Sequence, residues 1–247
     1  MAGARRRRDH RRRRDDEIVK LVLFDIDGTL LWSDGAGRRA MTGALEETFG
    51  GAGSTEYLYD GKTDQQIVRD LMRAEGHADE AIDRLMPVLL DRYLARLTGA
   101  FAAGMQAHLF DGIPELLDAL EARQDVVLGL LTGNMREGAS IKLLAAGLDP
   151  TRFRVGAFGS DHHHRPALPA IAQARARDEL GLEIAGPSVV VIGDTPADIE
   201  CGRPLGARAI GVATGRYSVE ELARHNPAAV FPTLAETPAV LRAILDA

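Results

Sequence analysis

The chain has 247 residues, of which 45% are hydrophobic and 27% charged, and its formal net charge is −6. This size and composition exclude a disordered or collagen-like chain and fit one large domain, or a domain with a small insert. The single cysteine, Cys201, excludes a disulfide scaffold and a structural zinc cluster. No apolar run approaches the length of a membrane span and no signal-peptide pattern is present, so we expect a cytoplasmic protein without a membrane partner.

Residues 1–16 differ in charge from the rest of the chain. Eight arginines and one aspartate lie within residues 1–14, whereas the remaining residues carry an excess of acidic groups. Because closely spaced like charges repel one another and bury nothing, residues 1–16 are predicted to form a disordered arm. The arm has no aromatic residue and no recognisable nucleic-acid motif, so an extension without a binding role is favoured over a nucleic-acid tether.

Short apolar runs predict the strands of a parallel sheet. They lie at residues 18–24, 126–131, 188–192, 208–212 and, more weakly, 228–231. Runs of this length and composition are typical of strands that are buried on both faces. Helical patterns separate them at residues 114–123, 138–146, 167–180 and 196–205. The alternation predicts an α/β fold, with a Rossmann-like, doubly wound parallel sheet as its core.

The first two predicted strands are separated by about 100 residues, far more than one crossover connection needs. Helical patterns with apolar faces occur within this gap at residues 38–49, 63–74 and 83–97. We therefore predict a small all-helical cap at residues 34–110, inserted after the first strand, and a catalytic core formed by residues 17–33 and 111–247. Gly35-Ala36-Gly37 would be the hinge into the cap, with Trp32 packed nearby.

Three of the predicted strands are followed directly by polar residues. Asp25 follows the first, Thr132 the second, and Gly193-Asp194 the third. Ligands of open α/β sheets bind beyond the carboxyl ends of the strands, so these residues would converge if their strands are neighbours. The cap leaves the sheet from the same edge, where it would roof the site and exclude water.

Each strand end belongs to a short motif with its own chemistry. Asp25-Ile26-Asp27-Gly28-Thr29 places two carboxylates where only a cationic partner would make their burial favourable. Thr132-Gly133-Asn134 offers a hydroxyl and backbone N–H groups to an anion. Asp194 and Asp198, four residues apart, are oxygen ligands of the kind that Mg²⁺ prefers. For Asp198 an alternative role is stabilisation of the helix that begins beside it.

Together these motifs resemble the haloacid-dehalogenase-like superfamily of phosphohydrolases, over residues 18 to about 235. The cap and its Gly61-Lys62-Thr63-Asp64 stretch are similar to the phosphoglycolate-phosphatase-like branch. The resemblance implies that Asp25 attacks phosphorus to form an aspartyl-phosphate. It also implies that Asp27 protonates the leaving oxygen and later deprotonates water, for which its surroundings should raise its pKa.

The resemblance further implies a cofactor and a phosphate-binding set. Mg²⁺ would be held by Asp25, Asp194 and the backbone oxygen of Asp27, with Asp198 completing the acidic group. Thr132, Gly133 and Asn134 would bind the phosphate group of the substrate. Arg165 would join them in place of the lysine that the superfamily usually has ahead of this helix, where the chain reads Gly159 to Pro166. Arg175 and Lys142 are the alternatives for that role.

The function expected from this reading is Mg²⁺-dependent hydrolysis of a small phosphomonoester, phosphoglycolate-like or a sugar phosphate. The alternative is a phosphomutase of the same fold, similar to β-phosphoglucomutase, which shares every core motif. A non-catalytic binding module tethered by the arginine arm is favoured least, because all the carboxylates of the site are present. The substrate and the oligomeric state do not follow from the sequence, although Arg38, Arg39, Lys62 and Tyr93 are candidates to reach the pocket.

Two further features favour ordinary structural roles. His162, His163 and His164 are consecutive, so their side chains point in different directions, and a solvated loop near the site entrance is favoured over a metal site. Cys201 lies on the helix that contains Asp198 and is predicted to be a small packed hydrophobe rather than a nucleophile.

Overall fold

The computed structural model describes residues 19–247, so the arginine-rich arm predicted at residues 1–16 lies outside the described residues. Within this range the central sheet has six parallel strands in the order β5-β4-β1-β6-β7-β8, which confirms the predicted fold class. These strands are β1 (Lys20–Phe24), β4 (Val126–Thr132), β5 (Val155–Phe158), β6 (Val189–Gly193), β7 (Arg208–Val212) and β8 (Ala229–Phe231).

The strand β1 lies at the centre of the sheet and pairs with β4 on one side and β6 on the other. Phe24 is opposite Leu130 of β4 and opposite Ile192 of β6. Alternate side chains of β1 enter different cores: Val22 and Phe24 pack in one hydrophobic cluster, and their neighbours Leu21 and Leu23 in another. Both faces are covered, which is why these strands read as continuous apolar runs.

Helices cover the sheet and form the cap. In chain order they are α1 (Ala36–Phe49), α2 (Asp64–Ala74), α3 (Asp79–Ala102), α4 (Ile113–Glu121), α5 (Arg136–Ala145), α6 (Leu168–Leu180), α7 (Pro196–Cys201), α8 (Val219–Ala223) and α9 (Thr237–Asp246). The N-cap of α2 is Thr63, one of the two candidates in the sequence beside Asp64, and its side chain accepts a hydrogen bond from the backbone N–H of Gln66 at 3.1 Å. Among the described residues, no helix combines the length and the apolarity needed to cross a bilayer.

The cap helices α1, α2 and α3 share a hydrophobic cluster of their own, separate from the clusters of the sheet. A two-stranded antiparallel ribbon, β2 (Leu31–Trp32) with β3 (His108–Leu109), lies where the chain leaves and re-enters the core. The expectation that Trp32 packs near the hinge is wrong, since this side chain is 54% exposed. The domain boundaries at 34 and 110 stay a prediction.

The sequence patterns missed or misjudged several elements. The strand β5 has only four residues and includes Gly156, so it shows no apolar run, yet it completes the sheet against β4. The helix predicted at 196–205 ends at Cys201 and continues as a 3₁₀ turn over Arg203–Leu205, because Pro204 has no N–H for an α-helical bond. The helices α8 and α9 were not predicted.

Candidate active site

The order of the strands brings three polar strand ends together. Since β4, β1 and β6 are adjacent and parallel, Thr132, Asp25 and Asp194 lie at the same edge of the sheet. The backbone N–H of Asp25 donates to the carbonyl of Ile192 at 2.9 Å, which extends the pairing of β1 with β6 to Asp25. Gly28 turns the chain with φ +81°, and a Cβ there would be 2.3 Å from Oδ2 of Asp194. The turn after β1 therefore packs closely against the carboxylate at the end of β6.

Three buried carboxylates form an acidic group at this edge. Oxygens of Asp25, Asp194 and Asp198 lie within 4.8 Å of one another. Burial raises the pKa of Asp25 to about 6, even though Arg165 acts to lower it, and burial with the neighbouring carboxylates raises the pKa of Asp194 well above its ordinary value. Thr29 donates a hydrogen bond to Oδ1 of Asp194 at 3.2 Å.

The donor set of this acidic group fits a divalent cation. Within the described residues, Oδ1 of Asp25 is buried and accepts no hydrogen bond, although Nη2 of Arg165 lies 3.2 Å from it. Three buried carboxylates beside one arginine are unfavourable unless a further cation lies between them, and hard oxygen ligands are the ones that Mg²⁺ takes. Asp25 and Asp194 are thus suited to hold a magnesium ion.

Arg165 lies beside the acidic group, and only 4% of it is exposed. Its Nη2 is 3.2 Å from Oδ1 of Asp25 and forms an ion pair with Oδ1 of Asp198. The other oxygen of Asp198 accepts hydrogen bonds from the backbone N–H of Thr195 at 3.0 Å and from its hydroxyl at 2.6 Å. Both oxygens of Asp198 are thus engaged, and Asp198 holds Arg165 in place. The contacts with Arg165 and Thr195 account for the position of the Asp198 carboxylate without a metal ion.

Asp27 belongs to a second network, on the other side of the site. Its Oδ2 accepts hydrogen bonds from Lys142 Nζ at 2.6 Å and from Asn134 Nδ2 at 2.8 Å. The amide Nδ2 of Asn134 also donates to the Thr132 hydroxyl oxygen at 2.8 Å, and its Oδ1 accepts from Lys142 at 2.7 Å. Hydrogen bonds therefore link four side chains, which come from the turn after β1, the end of β4, the loop after β4 and α5.

The expectation that the surroundings of Asp27 raise its pKa is wrong. Burial alone would raise this pKa, but the Lys142 ammonium and the hydrogen bonds from Lys142, Asn134 and Ser33 outweigh burial and lower it. The sequence motifs offered Lys142 only as an alternative to Arg165 in the phosphate-binding set. A lysine embedded in the apolar stretch Ile141 to Leu144 was the available signal that its ammonium points into the protein, toward an acid.

The cap touches the core at the loop after β4. The backbone N–H of Asp64 donates to the carbonyl of Gly133 at 2.8 Å, and the Asp64 carboxylate accepts from the backbone N–H of Met135 at 2.8 Å. A Cβ at Gly133 would be 1.9 Å from the carbonyl oxygen of Lys62. The Thr63 hydroxyl donates to the carbonyl of His163 at 2.7 Å. The stretch Gly61 to Asp64 thus packs directly against the loops that follow β4 and β5.

A cavity of about 200 Å³ lies between the cap and the core. Nearly all the predicted site residues line it, from the core Asp25, Asp27, Thr132, Gly133, Asn134, Lys142, Arg165 and Asp194, and from the cap Arg38, Lys62 and Tyr93. Lys62 is partly neutralised there, since its Nζ is 3.6 Å from Asp70 and 4.4 Å from the centre of the Tyr57 ring. Asp198 is buried just outside this cavity.

Several candidates lie elsewhere. Arg175 pairs with Asp161 and donates to the carbonyl of Gly156 at 2.5 Å, so it does not replace the usual lysine. Arg39 pairs with the exposed Asp34. Residues 162–164, the three histidines, are exposed on the loop that follows β5. Cys201 is buried in the core, and burial raises the pKa of its thiol to about 12.

Comparison with known proteins agrees with this geometry. A family model described as haloacid dehalogenase-like hydrolase matches residues 22–203. An N-acetylmuramic acid 6-phosphate phosphatase from Pseudomonas aeruginosa is 29% identical over 219 residues, which cover 84% of this chain and 87% of that protein.

Solved structures share the fold. The structure of a hydrolase from Pseudomonas syringae matches with a TM-score of 0.67 and 22% identity, over 90% of this chain and 98% of the other. A predicted phosphoglycolate phosphatase from Haemophilus somnus matches with a TM-score of 0.65 and 20% identity, with the same coverage.

Proposed function

The chain belongs to the haloacid dehalogenase-like hydrolase family. We propose that it is a phosphatase, which hydrolyses a small organic phosphomonoester through an aspartyl-phosphate on Asp25. The observation that carries this proposal is the group made by Asp25, Asp194 and Arg165 at the floor of the cavity. The relative named as an N-acetylmuramic acid 6-phosphate phosphatase adds sugar phosphates to the substrates to be tried.

Asp25 is suited to be the nucleophile because it lies on the cavity floor at the end of a buried strand. Its carboxylate would attack phosphorus, and the bond from phosphorus to the leaving oxygen would break. Arg165 holds this carboxylate through the 3.2 Å contact and is itself oriented by Asp198. The Thr132 hydroxyl and backbone N–H groups of the loop after β4 would bind the equatorial oxygens of the phosphate.

Asp25, Asp194 and the backbone oxygen of Asp27 would hold Mg²⁺, which when bound would neutralise charge on the phosphate group and on the carboxylates. This assignment rests on the donor set at the floor of the cavity. Asp198 has a structural role in the proposal, because Arg165 and Thr195 already engage its two oxygens.

Asp27 would supply and remove protons. As a carboxylate held by Lys142 and Asn134, it is suited to take a proton from the water that hydrolyses the aspartyl-phosphate. For the first step it must be protonated, so that it can give that proton to the leaving oxygen. A phosphate dianion entering the cavity would raise the pKa of Asp27, because a second negative charge nearby disfavours its ionised form.

The experiment that tests the proposal is phosphate release from a panel of phosphomonoesters, with Mg²⁺ and then with EDTA. The panel contains phosphoglycolate, hexose and amino-sugar phosphates, nucleotides and phenyl phosphate. We expect Mg²⁺-dependent release that Asp25→Asn lowers by a factor of about a thousand or more, as for other catalytic nucleophiles. The control variant is Asp118→Asn. Asp118 lies on α4, and its exposed carboxylate pairs with Arg152.

Two outcomes would contradict the proposal. Unchanged turnover in a folded Asp25→Asn variant would exclude the aspartyl-phosphate. Conversion of a sugar monophosphate into an isomer, with no release of phosphate from any ester of the panel, would favour a phosphomutase.

A further inference from the structure

A second cavity, of about 500 Å³, opens beside the catalytic cavity and is called the outer cavity here. Asp27 and Asp194 line both cavities, as do Trp32 and Arg38. Residues that line only the outer cavity include Leu58, Phe110 and Arg216. Since Asp27 is the residue proposed to protonate the leaving oxygen, a leaving group that passes Asp27 would extend into this space.

Two arginines face the outer cavity outside any close ion pair, although Arg216 interacts at longer range with Glu221. Among residues 19–247, neither Arg38 nor Arg216 forms an ion pair, although most arginines of the chain described here do. Arg38 is nevertheless held in place: its Nη2 donates to the carbonyl of Tyr57 at 2.9 Å, and its guanidinium lies 4.0 Å from the centre of the Tyr59 ring. A cation fixed by neutral groups retains its full charge for a ligand.

Arg216 belongs to the loop after β7, which is fastened to the catalytic turn. The Thr214 hydroxyl donates to the carbonyl of Gly28 at 2.5 Å, and a Cβ at Gly215 would be 1.8 Å from Oδ2 of Asp194. This close packing places Arg216 on the core side of the outer cavity, while Arg38 comes from α1 of the cap.

The same cavity also presents apolar surface to solvent. Trp32 is 54% exposed and Leu58 is 39% exposed, and they are two of only four large hydrophobic side chains with high exposure among the described residues. Both line the outer cavity. An aromatic ring that is exposed at the mouth of a cavity offers a flat surface against which a ring or short carbon chain can pack.

We propose that the outer cavity binds the leaving group of the substrate, and that this group is a small ring or carbon chain bearing a carboxylate. Its apolar part packs against Trp32 and Leu58, and its carboxylate binds Arg38 and Arg216. The proposal rests on the phosphatase function proposed above and names the class of substrate for that site. Asp60 also lines the cavity, but this carboxylate is exposed and its repulsion is screened by water. Arg216 is exposed too, so its attraction is screened in the same way, and Arg38 is the main contact of the carboxylate.

Binding of stable phosphonates tests the proposal without turnover. Titration calorimetry in Mg²⁺ buffer compares benzylphosphonate with its 3-carboxy and 4-carboxy derivatives. We expect the wild-type chain to bind one carboxy derivative about tenfold more tightly, as one charge-assisted contact provides. Arg38→Gln should abolish most of this preference, Arg38→Lys should restore part of it, and Trp32→Ala should weaken all three ligands alike.

Arg136→Gln is the matched control, because the Arg136 guanidinium also lies over a ring, 4.2 Å from the centre of Phe158, but outside both cavities. It should leave the preference unchanged. Equal binding of all three phosphonates by the wild type would overturn the proposal, as would a preference that survives both Arg38→Gln and Arg216→Gln.

Hydrolysis of phenyl phosphate and its carboxy derivatives separates this proposal from the proposed function. If the wild type hydrolyses all of them at the same kcat/KM, the proposed phosphatase function stands and the proposed carboxylate site is excluded. If it prefers the carboxylated phosphonate yet hydrolyses no ester, the proposed binding site stands and the proposed function is excluded.

Discussion

Lys142 and Asp27 are 115 positions apart in sequence, and their side chains meet at 2.6 Å. The contact joins α5 to the turn after β1, and the Lys142 side chain is only 5% exposed. Because Lys142 also donates to Asn134, one ammonium fixes two side chains of the site. The acid–base residue of the proposed mechanism is therefore held in one orientation by a group that is remote in sequence.

Replacement of this lysine should slow turnover more than it weakens binding. We expect Lys142→Met to lower kcat on the order of a hundredfold, the usual range for a lost acid–base contribution, because Asp27 and Asn134 lose their common donor. KM should change by less than about threefold, and Lys142→Arg should recover part of kcat. Lys20→Met is the control, because Lys20 lies at the start of β1 and donates a hydrogen bond to the carbonyl of Ala247. A kcat close to that of the wild type in Lys142→Met would contradict the positioning role.

Arg165 should be essential to stability as well as to activity. Arg165→Met would leave Asp25 and Asp198 buried without a cation, which costs about 3–5 kcal/mol for a buried pair that loses one partner. Chemical denaturation measures the loss, and the double variant Arg165→Met with Asp198→Asn should regain part of it. Arg175→Met removes the more exposed pair with Asp161 and should cost less and leave kcat unchanged. Equal losses in the two single variants would contradict the assignment.

Gly133 should be required for the fit of the cap on the core. A Cβ at Gly133 would be 1.9 Å from the Lys62 carbonyl, so Gly133→Ala must displace the loop that carries Lys62. We expect kcat/KM to fall by about a hundredfold, the usual effect of a displacement near 1 Å in an active site. Gly99→Ala is the control, since a Cβ there meets nothing within 4 Å, and it should stabilise α3 by about 0.5–1 kcal/mol. Full activity in Gly133→Ala would contradict the close packing of the cap against the loop after β4.

Asp64 should make the stability of the chain depend on pH. Burial raises its pKa from 3.8 to about 6, although Lys142 and the N–H of Met135 act to lower it. A carboxyl whose folded pKa lies above its unfolded pKa binds its proton more tightly in the folded chain. Its stabilising contribution is complete below pH 4 and is lost as the pH rises through 6. The full loss amounts to about 3 kcal/mol at most.

Asp64→Asn should remove this dependence because the amide does not ionise, while its oxygen can still accept from Met135. The measurement is the free energy of unfolding of both proteins at pH 4.5 and 7.5 without added metal. We expect the variant to gain stability relative to the wild type as the pH rises. A difference between the two proteins that is the same at both pH values would contradict the raised pKa.

The alternation of strands and helices and the chemistry of the strand ends follow from the sequence alone. Buried parallel strands need apolar residues on both faces, so β1, β4 and β6 were visible as runs that stop at Asp25, Thr132 and Asp194. The cap was visible because its three helices each have an apolar face that needs a partner. Local periodicity and the abrupt change to polar residues contain this information.

Which cation meets which carboxylate depends on how the strands and helices pack. In the sequence, only its place ahead of a helix favoured Arg165 over Lys142 and Arg175, since a charge has no periodicity and a long side chain can point in several directions. Strand order and helix packing place Arg165 beside Asp25, Lys142 beside Asp27, and Arg175 beside Asp161. The pKa of Asp27 follows from its contact with Lys142 and not from its neighbours in sequence. Electrostatic interactions depend on distance in space, and in this chain the fold alone sets that distance.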